Sequence, residues 1–243
     1  MKKVVPWLAV IFLGTWQAVS AADITGVITL TGTPPPEVDI GPKMTADSPD
    51  CAAMYDPAHM PTTHFYVVGA KGEFADVVVS LKDADGKDIT GKSTGASAPP
   101  AVLDQKGCLY TPQIQAIQTG QKLLVKNSDS CVHNVHCTPS ASSGNVEQND
   151  VQMPGGPDLT YTFAKPEMFL EFACNVHSWM YAWVSIFDNP YFSVSDKDGK
   201  FVIKNVPPGK YTVVASHRKL GAQTQVVEVA DKDVTVNFSF AIK

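Results

Sequence analysis

Beyond its first two dozen residues, this chain holds no long stretch with the 3.6-residue apolar spacing of a buried helix. Short runs rich in β-branched and aromatic residues recur instead, and 18 Pro and 17 Gly lie scattered between them. Proline removes a backbone donor and glycine favours turns, so such punctuation leaves room for strands of six or seven residues and little else. The expectation is an all-β protein.

The runs can be placed in order. Residues 24–31, "ITGVITLT", read as a first strand that ends in the breaker "GTPPP". Residues 33–63 hold seven prolines, Cys51 and His59, and show little periodicity, so they form an excursion of unspecified structure. Strands are expected at 64–69 and 75–83, then a polar surface loop over 84–100. Further strands follow at 101–117, 121–127, 160–174 and 181–188, with a second long polar loop over 138–159. From about Asn189 the texture changes. Asp-Gly and Pro-Pro-Gly turns join short strands, and a hairpin is expected across Asp231 and Lys232. Phe201, Ile203 and Val206 on one strand, and Tyr211, Val213 and Ala215 on the next, give a mainly one-sided apolar face. Roughly 55 residues are thin for an independent sandwich. This block therefore either docks on the preceding one or borrows the N-terminal strand. The domain expectation is 1–22 leader, 23–188 first domain with long loop insertions, and 189–243 a small second module.

Residues 1–22 carry Lys2 and Lys3, an apolar run from Val4 to Trp16, and the small residues Ser20, Ala21 and Ala22, the pattern of a cleaved secretory signal. An uncleaved anchor is the alternative, although the run is short for a membrane span. Periplasmic or secreted localisation follows. Without Lys2 and Lys3 the 19 basic residues become 17 against 24 acidic ones, a formal charge of −7. Nucleic acid is a poor partner for that balance. Five cysteines in an exported chain are an odd number, so at least one thiol needs an occupation other than a disulfide, and Cys174 is the candidate. Cys51 and Cys108 both flank strands and are expected to form a disulfide. Cys131 and Cys137 stay open, because extended chain of that length spans ~20 Å whereas a bridge wants Cα atoms ~5.5 Å apart.

"CNVHSWM", residues 174–180, sets a thiol, an imidazole and a thioether on one tight loop between two aromatic strands. A mononuclear copper site of the electron-transfer type takes two His nitrogens and one Cys sulfur in a trigonal plane, with Met as a weak axial ligand. Cys174, His177 and Met180 supply three of these groups. The second imidazole comes from "NSDSCVHNVHC", residues 127–137, which carries His133 and His136. Residues three apart on extended chain face opposite sides, so one of the two is the ligand. His133 is favoured, and Asn134 beside it is placed to hydrogen-bond the Cys174 loop and lock the two segments together.

The pair "HNVH" and "CNVHSWM" resembles the ligand segments of amicyanin and related plastocyanin-like cupredoxins, including the C-x-x-H-x-x-M spacing and the Asn after the upstream His. The resemblance covers residues 101–188 well and 23–82 only as generic strands. It implies a Greek-key β-sandwich, one type 1 copper ion held by His133, Cys174, His177 and Met180, and one-electron transfer. Residues 194–217, "VSDKDGKFVIKNVPPGKYTVVASH", resemble the carboxypeptidase regulatory-like (transthyretin-like) sandwich, a structural module. Cys131 and Cys137, which bracket the upstream His, depart from the simple cupredoxin pattern. They leave open a second metal at His136 with Cys131 or Cys137.

Other classes fit the spacing less well. A binuclear purple centre needs two Cys on the ligand loop, and multicopper oxidases need H-x-H pairs, which none of the six His forms. Neither a Ser-His-Asp ordering nor a phosphate loop stands out, so the chain reads as an electron carrier rather than an enzyme. "DKDG" at 196–199 lacks the carboxylates of a calcium loop and fits a hairpin turn. His217 reads as a surface His. Trp179, Tyr181 and Trp183 read as core or rim packing, with Trp179 also able to form an apolar docking patch beside the ligands. The acidic surface implies a redox partner with a basic docking face. Two alternatives remain: copper buffering or delivery, to which His136, His59 and Met60 lend weight, and a purely structural β-sandwich.

Overall fold

The computed structural model describes residues 20–242. All but the last three residues of the expected leader lie outside that range. The fold is all-β, built as two sandwiches, with only short helical pieces besides. Among the described residues no helix is long and apolar enough to cross a membrane.

The first sandwich is formed by residues 101–187. One sheet runs in the order Tyr110–Thr111, Ala101–Gln105, Lys122–Asn127, Leu159–Thr162, and the other in the order Ile114–Gln118, Tyr181–Phe187, Glu167–Ala173, His133–Thr138, Gln148–Gln152. Ala101–Gln105 runs parallel to Lys122–Asn127 while the chain between them visits the opposite sheet, the crossed connection of a Greek-key sandwich. Leu103, Val125, Val135, Phe163, Phe172 and Ile186 are all buried between the sheets. Gln148–Gln152 lies inside the expected polar loop; only Gln152 of its five residues is buried, so no apolar alternation marks it.

The second sandwich corrects the boundary at residue 189. Ala22–Thr31, expected in the first domain, pairs antiparallel with Lys200–Val206 and parallel with Val234–Thr235 and Phe238–Ala241. Val78–Lys82, also expected in the first domain, sits between Phe192–Val194 and Gly209–His217, with Gly221–Val229 at the far edge. The C-terminal block thus borrows two strands, and with them a core of Ile24, Ile28, Phe74, Val79, Leu81, Phe201, Ile203, Val213 and Phe240. Every second residue from Ala22 to Leu30 is buried, as this pairing demands. Gly26 is one of them. A Cβ there would meet the Val236 carbonyl oxygen at 1.7 Å, so the chain between Val234–Thr235 and Phe238–Ala241 can close on Ala22–Thr31 only over glycine.

Two local expectations change. Residues 64–69 form no strand; His64 has a positive φ, and only Val68 makes an isolated bridge, with Phe74. The hairpin across Asp231 and Lys232 does not form. Gly221–Val229 is already paired along its length with Gly209–His217, and the apolar side chains of Val236, Phe238 and Phe240 turn inward against the first strand instead. Within residues 33–63 the chain makes two short helices, Gly41–Asp47 and Pro49–Ala52, each with a proline in its first turn, where the missing N–H costs nothing.

His217 is buried rather than exposed. Its ring lies 4.5 Å from Phe74 and 5.6 Å from Tyr66, centroid to centroid. Burial depresses its pKa to about 4. Between the ordinary value and about 4 the unfolded chain binds the proton more readily, so His217 withdraws about 3 kcal/mol of stability as pH falls through that window. Asp76 acts in the opposite sense: burial raises its carboxyl to about 6, so folding is favoured below that pH and loses a comparable amount as pH rises from about 4. The two flatten the native profile. His217→Phe is expected to unmask the Asp76 limb, seen as chemical-denaturation stability that falls from pH 4 to pH 6; an unchanged profile would contradict the burial argument.

Candidate metal centre

The strand His133–Thr138 lies between Glu167–Ala173 and Gln148–Gln152, with His136 opposite Ala173. That register carries His133 past the end of Glu167–Ala173, beside the loop that follows it. Glu167–Ala173 and Tyr181–Phe187 form a hairpin closed at Ala173 and Tyr181, and residues 174–180 are its loop. The loop is tight: Cys174 N–H donates to the Met180 carbonyl at 3.1 Å, and Met180 N–H to the His177 carbonyl at 2.9 Å. Met180 is buried.

His133, Cys174 and His177 meet there. The two Nδ1 atoms are 3.0 Å apart, and Cys174 Sγ is 3.9 Å from His177 Nδ1. The three side chains bring their donor atoms within 4.8 Å of one another, and all three are buried. Cys174 Sγ also receives the backbone N–H groups of Asn134 and His177, both at 3.4 Å. Burial by itself pushes this thiol up. The two imidazoles and the two N–H groups outweigh it and hold the pKa down at about 5.

Asn134 spans the two segments. Its side-chain oxygen accepts the Asn175 N–H at 3.0 Å while its own N–H reaches the sulfur. Asp129 is the group that the sequence reading missed. Its carboxylate accepts the Gly107 and Cys108 N–H groups at 2.6 and 2.7 Å and lies 2.9 Å from His133 Nε2. Burial raises its carboxyl, but these partners prevail and its pKa is lowered. An ionised carboxylate at Nε2 fixes the proton there and leaves the Nδ1 lone pair of His133 facing Cys174 and His177. An acid four residues before a ligand-type His was the available signal.

His136 points elsewhere. Its Nε2 is 2.6 Å from Glu147 and its Nδ1 3.2 Å from Asn175 Oδ1. Among the described residues it joins no group of three or more metal-type side chains, and its ring partners are Glu147 and Asn175, neither Cys131 nor Cys137. His59 is exposed and pairs with Asp56, and Met60 packs against the first core.

The disulfide joins Cys51 to Cys108; Cys131 and Cys137 are unbridged, Cys137 being buried in the core. Of two other clusters of metal-type side chains, the one of Cys51, Cys108 and His177 has two of its donors in the disulfide, whereas the one of Cys108, Asp129, Cys131 and His133 has only Cys108 bonded and keeps the other three. Trp179 forms no docking patch. It is buried, with its indole N–H donating to the Cys108 carbonyl at 3.0 Å, because Ile40, Met44 and Cys51 of the 33–63 excursion share its core. Trp183 packs at the junction of the sandwiches with Val78 and Ile114, and the Arg218 guanidinium lies 3.7 Å from its ring centroid.

A family model described as the second beta sandwich domain of the BOS complex subunit NOMO1-like matches residues 191–243. No curated protein matches the chain. Among solved structures, the chain is similar to a Cu-containing nitrite reductase from Thermus scotoductus SA-01 at 16% identity and a TM-score of 0.33, covering 43% of this chain and 26% of the reductase. It is also similar to a purple cupredoxin from Nitrosopumilus maritimus, at 16% identity and a TM-score of 0.30, over 35% of this chain and 98% of that one. The M98A mutant of amicyanin in its Cu(I) form matches at 15% identity and a TM-score of 0.31, over 44% of this chain and 97% of the amicyanin. The chain thus spans about a quarter of the reductase's length.

Proposed function

We propose that this chain is an exported mononuclear copper protein of the blue type that passes single electrons between redox partners. The ligands would be His133, Cys174 and His177, with Met180 as the weak fourth. The observation that carries this reading is the convergence of two buried Nδ1 atoms on one acidified thiol, with Nε2 of His133 committed to Asp129. That donor set fits copper: one soft thiolate and two imidazole lone pairs facing a shared space. When bound, copper would supply the one-electron couple.

The chain's own groups do the rest. Asp129 and Asn134 hold His133 and the Cys174 loop in place, so little has to move when charge changes. The two N–H groups on Cys174 Sγ draw electron density from the sulfur and stabilise its anionic form. Burial of all three side chains excludes water from the sulfur. The Cys51–Cys108 bridge supports an oxidising compartment. The acidic balance supports a partner with a basic docking face. The carrier itself is proposed to have no enzymatic activity.

The delivery reading drew its weight from His136, His59 and Met60; neither His joins the cluster, and Met60 packs against the first core. Repeated oxidation and reduction of the copper-loaded protein, in the presence of a Cu(I) chelator, separates the two. Electron transfer predicts reversible cycling with copper retained. Loss of the metal to the chelator within the first reduction would favour delivery.

A further inference from the structure

We propose that Cys131 is an exchange thiol for the Cys51–Cys108 disulfide, so that the bond migrates to Cys108–Cys131 and releases the segment that covers His177. Its sulfur lies 3.6 Å from that of Cys108, in van der Waals contact with a bonded disulfide. Cys131 is only half-buried, whereas Cys51 and Cys108 are fully buried. A free, partly exposed thiol thus lies against a disulfide whose two sulfurs are buried.

The step balances within the chain. Cys131 gives up its proton and its sulfur attacks Cys108 Sγ. A new Cys108–Cys131 bond forms as the Cys51–Cys108 bond breaks, the electron pair leaves on Cys51, and the proton ends there. No oxidant or reductant is consumed. Polar neighbours stand at both ends of this transfer. His133 Nε2 is 3.5 Å from the attacking sulfur, with Asp129 beside it, and His177 Nε2 is 3.6 Å from the Cys51 sulfur that becomes a thiol. Uncatalysed disulfide rearrangement runs over minutes to hours, which sets the time scale of the exchange.

The consequence lies at the candidate copper edge. Cys51 belongs to the short helix Pro49–Ala52, and its bridge is the covalent tie between the 33–63 excursion and the first sandwich. With the bond moved, that segment is held by packing of Ile40 and Met44 and by the Tyr55 hydroxyl donating to the Gly107 carbonyl. His177, buried under it, gains a route to the surface. The exchange itself does not require copper, so its test is independent of the electron-transfer reading.

The experiment uses the full metal-free chain, held without reductant at mildly alkaline pH, quenched in acid with a maleimide, digested with pepsin and mapped by mass spectrometry. Peptides linked through Cys108 and Cys131, with Cys51 alkylated, are expected to appear alongside the Cys51–Cys108 species, and equally in Cys137→Ser. In Cys51→Ser treated with oxidised glutathione, the bridge should form between Cys108 and Cys131, leaving only Cys137 and Cys174 free. Hydrogen exchange over residues 41–55 should be faster in that variant than in Cys131→Ser, whose Cys51–Cys108 bond cannot migrate. Wild-type protein that shows only Cys51–Cys108 after hours of incubation would overturn the proposal, whether or not Cys51→Ser folds. So would equal hydrogen exchange in the two variants.

Discussion

Asp129→Ala is expected to destabilise the protein by about 3 kcal/mol or more, because it removes the acceptor shared by the Gly107 and Cys108 N–H groups and His133 Nε2, at about 1–3 kcal/mol for each group left unpaired. The same change frees His133 to carry its proton on Nδ1. Copper retention should then fall about 10- to 100-fold, the usual toll for removing an outer partner of a ligating His. Denaturant titration of the metal-free protein reads the first effect, and competition with a copper chelator reads the second. A variant that loses stability but holds copper like the wild type would mean that Asp129 is only a structural anchor for the 107–108 turn.

His133→Ala and His136→Ala should differ sharply. His133→Ala removes one of the three converging donors, and copper retention should drop by more than the roughly 100-fold that outer-partner loss can cost. His136→Ala removes a half-exposed ring held by Glu147 and Asn175 on the other face of the strand, and should leave retention within about twofold. Chelator competition on both variants checks this, and the reverse ranking would move the site to the other face.

The local chemistry was legible because it depends on spacing within single segments. C-x-x-H-x-x-M fits one hairpin loop whatever the rest of the fold does, and period-2 alternation separates His133 from His136. The Cys51–Cys108 pairing was expected from both residues lying beside strands, yet Cys51 sits in the helix Pro49–Ala52, so the pairing holds but its stated reason does not. Strand partnership was not legible. The alternation in residues 22–31 says which side is buried, but not that Lys200–Val206, nearly the whole chain away, lies beside it. The Asp231 turn likewise marks a reversal of the chain without naming the neighbour. Two misses had usable signals. His217 continues the inward series Val213 and Ala215 at the same spacing of two, and should have been read as buried. Asp129 stood four residues before His133. The covering of Trp179 and His177 had none, because the proline-rich excursion shows no periodicity and its two helices are held by the core they pack on.

On the proposed reading, two separate segments bring a thiolate and two imidazoles onto one copper ion. Adding Cu(II) to the metal-free protein and recording the visible spectrum, for wild type and Cys174→Ser, tests it most directly. An intense thiolate-to-copper charge-transfer band is expected in the wild type and absent from Cys174→Ser. A wild-type protein that stays colourless with stoichiometric copper, or a band of equal strength in both proteins, would contradict it.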